Sequence, residues 1–202
     1  VAASVSTFYL YNINSRNIII LSLIFLWALR LGVYLTNRNL NLHEDKRYLD
    51  IKNNWKKNFT LHLYLKIILL QCALSFVLFS HFPFVFAPSA FSKIDCVLVT
   101  LALGAFFYEA IADYLKAQFK KDSKNSQLIC TQGLWKFSKH PNYFGEMSFW
   151  FCIAMLAYKQ TTWGYELLPA LLLVVIIEKL SGPKLLEENY KQRDNYKDYQ
   201  RI

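Results

Sequence analysis

The apolar residues of this chain are concentrated in long blocks. Residues 17 to 36 form the first block, which contains a single charge, Arg30. Its length of about 20 residues is what an α-helix needs to cross a hydrocarbon layer of roughly 30 Å. Four further blocks lie at residues 61 to 80, 94 to 115, 143 to 158 and 164 to 180. The pattern predicts an all-α fold, a polytopic transmembrane helical bundle with about five spanning helices.

The blocks also define the domain organisation. A chain of 202 residues is the size of one domain. We expect a single membrane domain over residues 1 to 202, with a segment before the first helix at 1 to 16, helices within 17 to 180, and a polar C-terminal tail at 181 to 202. The alternative is a soluble all-α domain with buried helices, which five blocks of 16 or more apolar residues disfavour.

The distribution of charge supports the membrane interpretation. Lys and Arg number 23 against 14 Asp and Glu, a net charge of +9. Of the 23 basic residues, 18 lie in segments 37 to 60, 116 to 141 and 179 to 202, which five crossings place on one face of the membrane. Basic residues in short loops tend to stay on the side from which a protein inserts. We therefore expect an integral membrane protein with no nucleic-acid partner. The charge pattern does not decide among the endoplasmic reticulum membrane, the mitochondrial inner membrane and the bacterial inner membrane.

Cysteine and histidine spacing indicates no metal site. The four cysteines are 22 to 34 residues apart without a C-x-x-C pair, and the four histidines are isolated from one another. The chain also contains no G-x-G-x-x-G, Walker or G-x-S-x-G motif.

The third apolar block contains ionisable residues on one helix face. Glu109, Asp113 and Lys116 follow one another at i, i+4 and i+7. Because a charge inside a spanning helix costs roughly 2.5–3.5 kcal/mol on insertion scales, such residues are candidates for function. Spacing alone leaves two interpretations equally open. In the first, this face holds a polar ligand. In the second, Asp113 and Lys116 pair with each other and a neighbouring helix satisfies Glu109.

The stretch from residue 133 to 146, GLWKFSKHPNYFGE, is the densest polar and aromatic part of the chain. Pro141 suits the first turn of the fourth helix, where its missing N–H costs nothing. The opening turns then contain Asn142, Tyr143 and Glu146. A helix N-terminus preceded by Lys136, Lys139 and His140 is suited to bind an anion. The alternative is an interfacial belt of aromatic and basic anchors.

Several segments together resemble a known family. They are WALRLGVYLTNRNL, EDKRYLDIKNNW, FFYEAIADYLKAQFK, GLWKFSKHPNYFGEMSFW and LSGPKLLEENY with YKDYQR, between residues 27 and 201. In this order they resemble the membrane proteins related to the C-terminal domain of steroid 5-alpha-reductases, and more closely a branch of unknown function, DUF1295-like. The HPNYFGE stretch with the upstream GLW is the specific part of the resemblance.

The resemblance implies a helical pocket for NADPH that is open to the cytosolic side, and hydride transfer to an electron-poor C=C bond of a lipid-like substrate. It assigns cofactor contacts to Glu109, Asp113, Asn142 and Glu146. A looser similarity places Lys184, Glu187 and Tyr196 at the phosphate or adenosine end. Lys139, which stands before His-Pro where close relatives usually carry Arg, is also a cofactor-binding residue by this resemblance. Tyr143 or His140 would polarise or position the cofactor as catalytic residues.

Two functions from different classes follow. The first is an NADPH-dependent membrane reductase, an oxidoreductase acting on CH–CH groups of a hydrophobic, steroid- or lipid-like compound among membrane lipids. The alternative is a non-catalytic accessory subunit of a larger membrane complex, for example a respiratory one, that retains the reductase fold. Departures from the family pattern at Lys116, Lys139 and residues 127 to 129 favour the alternative, as does the presence of only 16 residues where relatives have further N-terminal helices. A third resemblance is to the isoprenylcysteine methyltransferases, which use S-adenosylmethionine. The match to the reductase branch is longer than this one.

Overall fold

A computed structural model describes residues 14–40, 89–125, 128–161, 167–179, 190–191 and 193–202. These residues form α-helices, short 3-10 turns and connecting segments, with no strand among them. The helices are α1 (Ser15–Leu40), α2 (Lys93–Lys121), α3 (Pro141–Thr161), α4 (Leu168–Lys179) and α5 (Tyr196–Gln200). The all-α prediction is confirmed for the part of the chain that the structure describes.

Four predicted blocks coincide with α1 to α4, and the observed α1, α2 and α3 are longer than predicted. The predicted start of a helix at Pro141 is confirmed. The predicted helix over residues 61 to 80 lies outside the described residues. Two of the described helices, Ser15–Asn37 within α1 and Lys93–Lys121, are long and apolar enough to cross a membrane. The number of about five crossings stays a prediction.

Side-chain caps explain where α1 and α2 begin. The Asn14 side chain accepts a hydrogen bond from the N–H of Asn17 at 2.9 Å, which satisfies one of the free donors at the helix start. At the start of α2, Ser92 and Asp95 form a capping box, in which each side chain accepts from the backbone N–H of the other. Asn14 also donates to the carbonyl of Ser89 at 3.0 Å, so the beginnings of α1 and α2 lie side by side.

Contacts at both ends of the helices establish their directions. Arg16 contacts Asp95, and Arg30 contacts Glu109; in both pairs the partners are 79 residues apart in sequence. Helices α1 and α2 are therefore parallel with a constant register. Helix α3 is antiparallel to both, because its last turn, through Lys159, also contacts Asp95.

The core lies between α1, α2 and α3. Trp27 of α1 stacks on Phe149 of α3 with ring centroids 6.0 Å apart and meets the edge of Trp150 at 4.9 Å. Helix α2 presents the buried small side chains of Ala102 and Ala105 to this core. Small residues allow helices to approach closely. Another face of α1 is apolar and exposed, with Phe25 66% exposed and Leu29 52% exposed.

Candidate functional site

A single arginine of α1 forms ion pairs with two carboxylates of α2. Arg30 Nη1 donates to Asp113 Oδ2 at 2.8 Å, and Nη2 pairs with Glu109 Oε1. Glu109 and Asp113 are one helical turn apart, so the planar guanidinium fork meets both at once. The side chains of Arg30, Glu109 and Asp113 are 14%, 3% and 6% exposed. Three charged groups from two helices are thus buried together.

The first turns of α3 complete this group. Asn142 Nδ2 donates to Asp113 Oδ1 at 3.2 Å. Glu146, one turn further along α3, interacts electrostatically with Arg30 and Asp113. We call Arg30, Glu109, Asp113, Asn142 and Glu146 the carboxylate cluster. The structure thus brings together four residues singled out from the sequence, while their role in binding a cofactor stays a prediction.

Close packing of α3 on α2 holds these residues together. A Cβ at Gly145 would lie 2.7 Å from Glu109 Cβ, 2.9 Å from the Glu109 backbone N and 3.0 Å from the Ala105 carbonyl O. Only a glycine permits this approach without a shift of the helices, because any side chain would overlap with the α2 backbone. Residue 145 therefore sets the distance across which the carboxylate cluster forms.

Three buried polar atoms of the carboxylate cluster have no hydrogen-bond partner within the described part of the chain: Arg30 Nε, Glu109 Oε2 and Asn142 Oδ1. Buried polar groups in native proteins are paired in roughly 90% or more of cases, and each exception calls for an explanation such as a bound water or ligand. Here one donor and two acceptors remain available inside one cluster. This is the feature of a site that takes a polar molecule.

The GLW segment that precedes α3 is fixed against α2. Trp135 is buried, and its Nε1 donates to the carbonyl of Ala112 at 2.9 Å. Gly133 adopts φ 59°, and a Cβ there would lie 2.7 Å from Leu115 Cδ1; glycine accepts this left-handed backbone without strain. Lys116 Nζ lies 4.4 Å from the centroid of the Trp135 ring. The GLW part of the sequence resemblance therefore packs against α2 next to Asp113.

The predicted catalytic pair lies at the start of α3. The rings of His140 and Tyr143 stack, with centroids 5.1 Å apart and planes inclined by 14°. Because residues 140 and 143 flank Asn142, both rings are at the same end of the helices as the carboxylate cluster. A part in catalysis for either ring stays a prediction.

The C-terminal segment also lies at this end. The Asn195 side chain donates to the carbonyl of Ile129 and accepts from its N–H, both at 2.8 Å. Lys139 Nζ lies 5.0 Å from the ring centroid of Tyr199, and Tyr196 lies 6.2 Å from the same ring. Burial raises the pKa of Tyr190, whose ring meets the edge of Tyr199. Two predicted residues, Lys139 and Tyr196, thus share one aromatic neighbour.

The remaining predicted site residues, Lys184 and Glu187, lie outside the described residues. Conversely, Arg30 was not among the predicted site residues. The signal was nevertheless present, because Arg30 is the single charge in its apolar block, and a charge in such a block faces protein or water.

A second buried ionic group occupies the opposite end of the same helices. Arg16 Nε contacts Asp95 Oδ1 at 3.1 Å, both side chains are fully buried, and Lys159 Nζ pairs with Asp95 Oδ2 and donates to Ser92 Oγ at 2.6 Å. We call Arg16, Ser92, Asp95 and Lys159 the far-end cluster. It lies about 21 Å along α2 from Glu109, at 1.5 Å per residue. The two clusters are therefore separate sites.

Within the part of the chain that the structure describes, these features define an all-helical fold with two helices long and apolar enough to cross a membrane and a buried ionic cluster at either end of the core. The sequence profile of the family described as "Protein of unknown function (DUF1295)" matches residues 1–202. The chain belongs to this family. Searches among curated proteins and among solved structures found no match.

Proposed function

We propose that this protein is a membrane reductase that uses NADPH to reduce a C=C bond of a hydrophobic, lipid-like compound. The observation that carries the proposal is the carboxylate cluster with its buried atoms that have no partner within the described residues. The resemblance to the steroid 5-alpha-reductase C-terminal domain supplies the reaction class. The proposal includes the integral membrane placement of the chain, which the lengths of α1 and α2 support.

The residues present fit the cofactor. Ribose hydroxyls and the carboxamide N–H are donors, and Glu109 Oε2 and Asn142 Oδ1 are buried acceptors without a partner among the described residues. Hydrogen bonds to an ionised carboxylate are stronger than those between neutral groups. Glu109, Asp113, Asn142 and Glu146 would hold this part of the molecule. When bound, the cofactor supplies a hydride.

Basic residues at the same end of the helices suit the phosphate groups. The last turn of α2 carries Lys120 and Lys121, and the segment before α3 carries Lys136 and Lys139. The C-terminal segment adds Arg193, Lys197 and Arg201. Several cations at one end of a protein attract a polyanion over distances longer than a hydrogen bond. Tyr143 and His140, whose rings stack at the start of α3, would orient the bound molecule.

Binding of NADPH by the purified protein in detergent tests the proposal. Thermal unfolding and nicotinamide fluorescence are measured with NADPH, and NADH and S-adenosylmethionine serve as controls. A ligand present at 100 times its Kd stabilises a protein by about 2.7 kcal/mol, which is readily measured. Selective stabilisation by NADPH supports the proposal. Absence of a response to all three compounds contradicts it and leaves the accessory subunit, for which stable co-purification with other membrane subunits is the next measurement.

Variants locate the binding site. Asn142→Ala and Glu146→Ala should each abolish NADPH binding while the protein remains folded. The controls are Asn37→Ala, which changes the same residue type as Asn142 at an exposed position, and Asp194→Ala, which removes a carboxylate at an exposed position. Unchanged NADPH affinity in both site variants would remove the assignment of the site.

A further inference from the structure

Phe137, which follows the GLW segment, is an aromatic residue that the fold leaves exposed. It is 79% exposed, more than any other large apolar side chain in the described part of the chain, and Tyr114 of α2 is exposed as well. Exposed apolar surface is unfavourable in water and marks places where a protein contacts a partner or a membrane. Aromatic residues are enriched where the hydrocarbon of a bilayer meets its headgroups. The depth of Phe137 along the helices therefore decides what its ring contacts.

Contacts of the GLW segment place Phe137 near the level at which the apolar part of α2 ends. Trp135 donates to the carbonyl of Ala112, and Lys116 Nζ lies 4.4 Å from the centroid of the Trp135 ring. The apolar block from residue 94 to 115 is about 33 Å long at 1.5 Å per residue, which matches a hydrocarbon layer of roughly 30 Å. Residue 115 is thus at one surface of that layer. Phe137 is two residues beyond Trp135 in a tight turn, in which its N–H donates to the carbonyl of Leu134 at 3.2 Å, so its ring lies close to the same surface.

Exposed lysines accompany Phe137 at this surface. Lys136 precedes it in the chain, and Lys121 ends α2 about 9 Å beyond residue 115, at the depth of the lipid headgroups. Both side chains are exposed. Segment 116 to 141 contains six lysines and a single acidic residue, Asp122. An exposed ring and a local excess of positive charge are thus combined at one depth.

We propose that Lys121, Lys136 and Phe137 bind anionic phospholipids of the surrounding membrane. The ammonium groups pair with the lipid phosphates, and the ring inserts beside the acyl chains. A zwitterionic headgroup carries its own cation, so the excess of lysines favours anionic lipids. The proposal rests on the membrane placement that forms part of the proposed function, but it does not depend on the cofactor. Lys121 and Lys136 also attract the cofactor phosphates in the proposed function, whereas a nucleotide has no acyl chain for Phe137 to contact.

The experiment measures the Kd of dioctanoyl phosphatidylglycerol and of dioctanoyl phosphatidylcholine by native mass spectrometry of the full chain in detergent at low salt. We expect wild type to bind the anionic lipid roughly 20-fold more tightly, and Lys121→Gln and Lys136→Gln each to lower this preference about fivefold. The control is Lys93→Gln, an exposed lysine at the opposite end of α2, which should retain the preference. Phe137→Ser should weaken the binding of both lipids and keep their ratio, whereas Phe91→Ser, an exposed ring at the opposite end, should keep the wild-type values.

The outcomes separate this proposal from the proposed function. Equal Kd values for the two lipids in wild type, no binding of either lipid, or an unchanged preference in both lysine variants would overturn lipid binding and leave the reductase standing. Inorganic phosphate at the same concentration should not displace the anionic lipid, and full displacement would overturn the assignment to lipid. Loss of NADPH binding with a retained lipid preference would overturn the reductase alone. A protein that stays soluble without detergent would overturn the membrane placement and lipid binding together.

Discussion

Gly145 of α3 packs directly against Glu109 of α2, so closely that a Cβ at position 145 would lie 2.7 Å from Glu109 Cβ. A close approach of the two helices therefore coincides with a residue of the carboxylate cluster. The packing of α3 on α2 and the positions of the charged groups in the carboxylate cluster depend on this same contact. A substitution that disturbs the packing should therefore also change the properties of the cluster.

Substitution Gly145→Ala should force α2 and α3 apart. Overpacking of this kind costs roughly 1–3 kcal/mol, and NADPH affinity should fall because Asn142 and Glu146 move away from α2. The matched control is Gly104→Ala, since a Cβ at residue 104 meets nothing within 4 Å. Thermal unfolding of both variants in detergent checks the prediction. Equal stability of the two variants would contradict it.

Removal of the arginine in the carboxylate cluster should destabilise the protein strongly. In Arg30→Met, Glu109 and Asp113 lose their cation while they remain buried, and breaking a buried pair in this way costs about 3–5 kcal/mol. Arg201→Met, at an exposed position of the tail, is the control. The unfolding midpoints of both variants are compared with that of wild type, and a midpoint for Arg30→Met equal to that of Arg201→Met would show that the pairs contribute nothing.

The far-end cluster should contribute to stability and leave ligand binding unaffected. Asp95→Asn removes the anion shared by Arg16 and Lys159, both of which contact it, and should cost about 3–5 kcal/mol. Because this cluster is about 21 Å from Glu109, the Kd for NADPH of the folded fraction should not change. A substantially weaker Kd would indicate that the two ends are coupled.

Attachment of the C-terminal segment should depend on Asn195. Its side chain makes two hydrogen bonds to the backbone of Ile129, each with a net contribution of about 1 kcal/mol. In Asn195→Ala the Ile129 N–H should exchange with solvent faster, as measured by hydrogen exchange. Gln200→Ala, an exposed neighbour in α5, is expected to retain the wild-type rate.

The sequence predicted helices α1 to α4 well because each of them lies in a long apolar block, and such a pattern does not depend on partners. It placed the start of α3 at Pro141, since the preference of proline for a first helical turn is local. The far-end cluster was not predicted. Arg16 lies just before the apolar block, so nothing nearby in sequence indicates that it pairs with Asp95.

The candidate site was predicted in part, because some of its residues follow from local spacing along one helix. Glu109 and Asp113 share a helix face by their spacing alone, and the resemblance added Asn142 and Glu146. The partner of the two acids was open between Lys116 and a neighbouring helix. The structure identifies Arg30 of α1 as a partner of both acids, a contact between residues about 80 positions apart that spacing within one helix does not reveal.

The constant register between α1 and α2 restricts how this chain tolerates changes in length. Inserting or deleting one residue between Arg16 and Arg30 would rotate one arginine by about 100° relative to the other and displace it by about 1.5 Å. Arg16 and Arg30 then no longer meet Asp95 and Glu109 at the same time. Point substitutions on the exposed face of α1 are expected to be mild, whereas a single-residue insertion in this stretch leaves a buried charge without its counterion at one end of the helix.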